Sequence, residues 1–141
     1  MSFLASLDIS ASALTANRVR MDVISENIAN ESTTRSENGG PYRRKQVVLS
    51  EKSAEPFSSY YSQAIGGGVK VSEIAEDMSD FELVYDPEHV DANEEGYVLM
   101  PNVDEVTEII DMMAVTRAYE ANVTVFNATK SMAVKALEIG G

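Results

Sequence analysis

Asp91-Ala92-Asn93-Glu94-Glu95-Gly96 begins as a calcium-binding EF-hand loop does, with oxygen ligands at positions one, three and five and glycine at six. The twelfth position, where a bidentate glutamate would close the shell, is Asn102, and a strand-like stretch leads in where a helix should. A polar turn into Tyr97 is the plainer reading. Arg43-Arg44-Lys45 offers an anion site by charge, but consecutive residues of a strand point to alternate faces and do not converge on one phosphate. The run is read as structural or interfacial, pairing with the acidic middle of a neighbour. Gly66-Gly67-Gly68 lacks the lysine and the strand–helix setting of a phosphate loop and reads as a hinge. His89 is the one histidine and there is no cysteine, so no histidine cluster, thiolate metal site or Cys–His pair can form within the chain. The scattered carboxylates show no spacing that selects an acid/base pair. Three glycosylation sequons start at Asn30, Asn122 and Asn127, two of them inside a helical pattern where a glycan would block packing, and all are discounted. No catalytic residue, metal site or cofactor is expected.

The charge balance narrows the partners. Of the net −12, residues 1–50 carry +1, residues 51–101 carry −10 and residues 102–141 carry −3. An acidic middle disfavours binding to a phosphate backbone, which requires Lys and Arg, and reads as a solvated face. No run approaches the ~18 apolar residues of a membrane span. The N-terminus lacks a basic region and contains Asp8, so a cleavable secretory signal is not expected; action outside the cytoplasm would need an export route that cleaves nothing.

The largest element is the stretch from Asn102 onward. Pro101 stops what precedes it, Asn102 is a candidate N-cap, and Asp104, Glu105 and Glu108 put negative charge at the positive end of a helix dipole. From Val103 to Ile139 there is neither proline nor glycine. Such a helix would be about 55 Å long, against a diameter of about 30 Å for a compact domain of this length. Three apolar rows run along it. The first is Val106, Ile109, Met113, Thr116, Glu120, Val123, Asn127, Lys130, Val134 and Leu137. The second is Met112, Val115, Tyr119, Phe126, Ala133 and Ala136. The third is Val103, Ile110, Ala114, Ala121, Val125, Ala128, Met132 and Ile139. A helix apolar over most of its circumference is buried on most sides, and this chain is too short to supply that cover alone.

Residues 3–29 form the second helical pattern, about 40 Å long. Leu4, Leu7, Ala11, Leu14, Arg18, Met21, Ser25 and Ile28 recur at three- and four-residue steps, as on a coiled-coil seam. Asn30 is placed as a left-handed residue ending this helix. Between the helices, Tyr42–Leu49, Val69–Ile74, Phe81–Tyr85 and Tyr97–Met100 read as strands, and residues 51–68 as a flexible loop. The fold class is α+β: long N- and C-terminal helices paired as a coiled-coil-like hairpin around a small β-rich insert. The segments are an N-terminal axial helix (1–30), a loop and β-rich middle (31–101) and a C-terminal axial helix (102–141), together one structural domain.

Ser25-Glu26-Asn27-Ile28-Ala29-Asn30, followed by Ser32-Thr33-Thr34, resembles the N-terminal signature of the flagellar rod and hook axial proteins. Within that family, Asn38 to Leu49, Leu83 to Pro87, Asp91-Ala92-Asn93 with Gly96-Tyr97-Val98, and Met100 to Val103 resemble the proximal-rod branch. So do Arg117 to Asn122 and Lys130-Ser131-Met132. The likeness covers nearly the whole chain apart from about residues 51–65. The loop keeps Thr33-Thr34 without the Gly-Phe of hook-type members, which fits the rod-specific branch.

The resemblance implies a structural subunit of the bacterial flagellar basal body with no enzymatic activity. It would be exported uncleaved by the flagellar type III apparatus, assemble helically into the periplasm-spanning proximal rod and transmit torque. Its partners would be other copies of itself, proximal-rod neighbours, the distal rod and a basal-body ring adaptor, with no nucleic acid and no insertion in the membrane. The expected family motif is Asn27, Ile28, Ala29 and Asn30. The expected assembly interface is Leu4, Leu7, Leu14, Met21 and Ile28 on the first helix, with Val103, Val106, Ile110, Met113, Tyr119, Val125, Phe126, Met132 and Leu137 on the second. Phe3 and Leu7 form a candidate export signal, though their i, i+4 spacing is equally that of ordinary helix packing. The alternative is a soluble helical adaptor that holds one partner through its long helices. The helices carry more apolar surface than one chain covers, so they are expected to be weakly ordered in the monomer and to fold together on joining the rod.

Overall fold

The computed structural model describes residues 3–36, 39–52 and 67–140. It contains helix α1 (Phe3–Ala29), strands β1 (Lys45–Glu51), β2 (Val69–Glu76), β3 (Glu82–Tyr85) and β4 (Tyr97–Met100), and helix α2 (Glu105–Gly140). Most of the expected flexible loop, residues 53–66, lies outside the described residues, as does the Phe3 side chain. The α+β class with terminal helices is what the chain adopts. The insert is two separate antiparallel hairpins, β1–β2 and β3–β4. No helix among the described residues is long and apolar enough to cross a membrane.

The two helices pack against each other and run antiparallel. Asn27 meets Glu108 while Met21 lies beside Thr116, so position falls along one helix as it rises along the other. The 36 residues of α2 against 27 in α1 leave the far end of α2 extending roughly 13 Å past its partner. Hairpin β1–β2 lies along α1. Its base is at Asn27, where Lys45 N bonds the Asn27 side chain, and its far end is at Ser12, whose Oγ accepts from Val69 N. Fifteen helical residues and seven strand residues both span about 22 Å, so the hairpin fits that stretch of helix. A bulge between Val48 and Leu49 leaves Ser72 without a partner.

Several expectations shift at this level. Helix α2 opens at Glu105, and the cap is Asp104 rather than Asn102: Asp104 Oδ1 accepts from Val106 N at 3.2 Å, its other oxygen accepts from Thr107 Oγ1, and Glu108 N bonds Asp104 O. Asn102 is needed elsewhere, as a cross-link described below. Asn30 is not left-handed, since no described non-glycine residue has positive φ; its N–H bonds Glu26 O and Asn27 O, closing the helix with a tightened last turn. Strand β1 starts at Lys45 rather than Tyr42, because Tyr42 turns inward and is buried. Gly68 is a point of close approach rather than a hinge: its φ is +96°, and a Cβ there would sit 2.4 Å from Ser12 Oγ.

Among the described residues the buried core is small: Ala16, Val23, Ile24, Tyr42, Val98, Pro101 and Val115, with the polar Ser10, Asn17, Asn27, Glu108 and Thr129. Hairpin β3–β4 adds little to it. Leu83 pairs with Leu99 and Tyr85 with Tyr97 on one exposed face, while Val98 on the other face is buried.

Candidate functional site

Where α1 ends, β1 begins and α2 begins, the chain gathers its most constrained polar groups. The Asn27 side chain uses its full hydrogen-bonding capacity. Nδ2 donates to Lys45 O at 2.9 Å and to Glu108 Oε2 at 3.0 Å, and Oδ1 accepts from Lys45 N at 3.0 Å and from Tyr42 OH at 2.9 Å. Glu108, only 1% exposed, takes Arg44 Nε at 2.6 Å on its other oxygen. The same guanidinium lies 3.6 Å from Asp77 and from Asp111. Asn102 ties the insert to this cluster: its Oδ1 accepts from Arg44 N at 2.9 Å, and its Nδ2 donates to Asp77 O at 3.0 Å and Ser79 Oγ at 2.8 Å. A buried carboxylate is tolerable only with this kind of pairing.

The electrostatics follow from these contacts. Burial alone would lower the Arg44 pKa, but the hydrogen bond and charge of Glu108, aided by Asp77 and Asp111, carry it above its ordinary value. The Tyr42 phenol is pushed up to about 12 by burial and by the charges of Glu26, Glu108 and Glu76. Asp77 is held below the usual carboxylate range by hydrogen bonds from Ser79, with Arg44 assisting. Asp91 is lowered chiefly by the Thr34 hydroxyl. Its bonds to Thr34 and Arg35 make the supposed calcium loop a tether between two surface loops. Among the described residues no group of His, Cys, Asp or Glu could hold a metal.

The basic run is thus satisfied within the chain rather than by a neighbour's acids. Arg44 pairs with Glu108. Lys45 pairs with Glu26. Arg43 bonds the Asp77 and Ser79 carbonyls and stacks on Phe81 at 4.3 Å from the ring centre.

Of the three rows on α2, one faces α1. It is the second, extended backward to Glu108 and containing Val115 (1% exposed) and Thr129; Met112, Tyr119, Phe126 and Ala133 are half-buried along it. The other two rows stay largely open. Val106, Ile109, Met113, Val134 and Leu137 of the first are exposed, as are Ile110, Val125, Met132 and Ile139 of the third. On α1 the buried positions are Ser10, Ala16, Asn17, Val23, Ile24 and Asn27. They lie one step round from the Leu4-to-Ile28 row, of which Leu4 is exposed and Leu7, Leu14, Met21 and Ile28 are half-buried. Val103 is half-buried in the lead-in to α2. Of the expected interface residues, Tyr119 and Phe126 therefore lie on the row that meets the chain's own α1. In the motif, Asn27 is the buried hub and Ile28 and Ala29 complete the last turn. Asn30 accepts from Thr33 Oγ1 at 3.1 Å and donates to Glu26 O at 2.8 Å.

Sequence reasoning missed Glu108 and Arg44 as partners. A signal was available: Glu108 stands four residues before Met112, on the extension of an otherwise apolar row. Ser10, Asn17 and Thr129 gave no such signal, being small polar residues in the interior of helices.

Residues 7–35 match the family model described as "Flagella basal body rod protein", and residues 94–139 match "Flagellar basal body rod FlgEFG protein C-terminal". Among similar proteins, the flagellar basal-body rod protein FlgC of Bacillus subtilis (strain 168) is 59% identical over 145 residues, covering 96% of each chain. FlgC of Borreliella burgdorferi is 44% identical, covering 99% of this chain and 98% of the other. FlgC of Escherichia coli O6:H1 is 42% identical over 99% of both.

Proposed function

The chain belongs to the FlgC family of flagellar basal-body rod proteins, structural subunits rather than enzymes, and from that premise we propose that it builds the proximal rod through the helix faces it leaves uncovered. The observation that carries this reading is α2: a 36-residue helix with one row against its own α1 and two apolar rows open to solvent. Neighbouring rod subunits, copies of this chain and related axial proteins, cover Val106, Ile110, Met113, Val125, Met132 and Leu137, and Leu4 extends the surface onto α1. Contacts of this kind that do not close on themselves propagate as an open helix. Torque passes through many buried side chains at once. The subunit reaches the rod through the flagellar export apparatus without cleavage, with Phe3 and Leu7 as the candidate recognition pair, and lies in the periplasm-spanning part of the basal body. The helical-adaptor alternative has no observation of its own.

Val125→Asp tests this directly. Val125 is 49% exposed in the single chain, so the substitution leaves the isolated subunit folded, with an unchanged circular dichroism spectrum. In the rod it places an unpaired charge in a dry interface, at a cost of about 3 kcal/mol or more per contact. The expected result is a secreted, folded subunit, no rod and no swimming. Wild-type motility would sink the assignment of this face.

A further inference from the structure

We propose that the buried Asn27–Glu108–Arg44 cluster is the register pin of the helix pair, fixing how far along α1 the helix α2 sits and so where along the pair its outward rows lie. That α2's outward rows build a rod is the reading given above; the pin itself stands on the single chain.

Shape alone does not specify the register of the α1–α2 contact. Its buried members include the small Ser10, Ala16 and Thr129, while the large Met112, Tyr119 and Phe126 are only half-buried and recur every seven residues, so a slip of seven residues brings like against like. A slip displaces α2 by about 10 Å along α1. The polar cluster forbids it. With Asn27 moved along to face Val115, Glu108 would lose both Asn27 and Arg44 and leave a charge without partners, the arrangement buried ion pairs penalise most strongly. A polar residue on a helix–helix seam exchanges stability for register in just this way. The anchoring is also directional. Asn27 holds four hydrogen bonds at once, and Arg44 is fixed at its own N–H by Asn102, so Glu108 meets a rigid fork. One contact thereby joins the end of α1, the start of β1 and the start of α2.

The chain has no cysteine, so two introduced ones label cleanly. Ala29→Cys and Thr124→Cys are exposed helical sites about 27 Å apart along the helix axis in the observed register. Pulsed electron paramagnetic resonance on the spin-labelled, dilute chain is expected to give a single narrow distance. In Arg44→Met/Glu108→Met, which replaces the ion pair by apolar groups of similar volume, thermal stability is expected to be equal or higher, since such exchanges are often neutral or stabilising. The same variant should show a second distance displaced by about 10 Å. Glu108→Gln, which keeps an acceptor for Asn27, should restore the single distance. An unshifted, narrow distance in the double variant would overturn the proposal. Should that variant not fold, the series wild type, Glu108→Gln, Glu108→Ala carries the same test, and identical narrow distances in all three would overturn it. The wild-type chain proving absent from purified basal bodies would instead overturn the rod reading and leave the register result intact.

Discussion

Tyr42 shows how tightly single residues are tuned at the junction. Its hydroxyl donates to Asn27 from a buried position beside three glutamates. The folded chain holds the phenolic proton to about pH 12, whereas the unfolded chain releases it near 10.0. A raised folded pKa means that the contribution is whole below pH 10 and is lost as pH climbs from there through 12. Tyr42→Phe removes both the titration and the hydrogen bond. It is expected to cost about 1 kcal/mol at neutral pH, with a difference from wild type that shrinks across that alkaline window. Urea unfolding of both proteins at a series of pH values measures it. Parallel curves through the window would show that the phenol does not titrate differently in the fold. Asp77, Asp91 and Asp104 act at the other extreme. Their lowered pKa values give stability present above about pH 4 and lost as pH falls through the folded values.

At the scale of elements, the β1–β2 hairpin is seated at two points, the polar junction at its base and the Ser12–Gly68 approach at its far end. Gly68→Ala strains a φ of +96° and drives a methyl group onto Ser12 Oγ, breaking that hydroxyl's bonds to Ile9 O and Val69 N. Gly39, with φ +81° and nothing near its would-be Cβ, provides the comparison. Gly39→Ala should cost about 1 kcal/mol from backbone strain alone, and Gly68→Ala about 2 kcal/mol or more, read by thermal unfolding. Equal costs would mean that the approach to Ser12 contributes nothing. The elements themselves were legible because their signals are local: three-residue and four-residue apolar recurrence for both helices, alternation for β2, Pro101 before α2. Which row of α2 faces α1 was not legible. All three rows are comparably apolar, and the row that turns inward is the one carrying Glu108, whose partner Arg44 is 64 residues away in sequence. For the same reason Asn102 looked like a cap: its local context is that of one, but Arg44 N and the Asp77 carbonyl outcompete the helix for its side chain.

At the scale of the whole molecule, the solvent-accessible area is 10099 Å2, whereas a compact monomer of this mass has about 7,200 Å2. Elongation accounts for part of the difference, and large apolar side chains stand exposed along one helix from Val106 to Ile139. A stable partner covers about 800 Å2 on each side, and the exposed rows of α2 are the surface on which one would lie. The distribution of buried residues along α2 then dictates how it behaves alone. Glu108, Val115 and Thr129 are its buried positions; past Thr129 the helix runs beyond the cover of α1 and has only its own propensity, which is marginal for so short a stretch in water. Hydrogen exchange on the dilute chain should therefore be slowest around residues 108–116, intermediate to Thr129, and fast from about Lys130 onward. Within assembled rods that last segment should slow by orders of magnitude as neighbours cover it. Strong, uniform protection across residues 105–139 in a monodisperse single chain would mean that α2 needs no neighbours, and the link between its uncovered rows and assembly would fail.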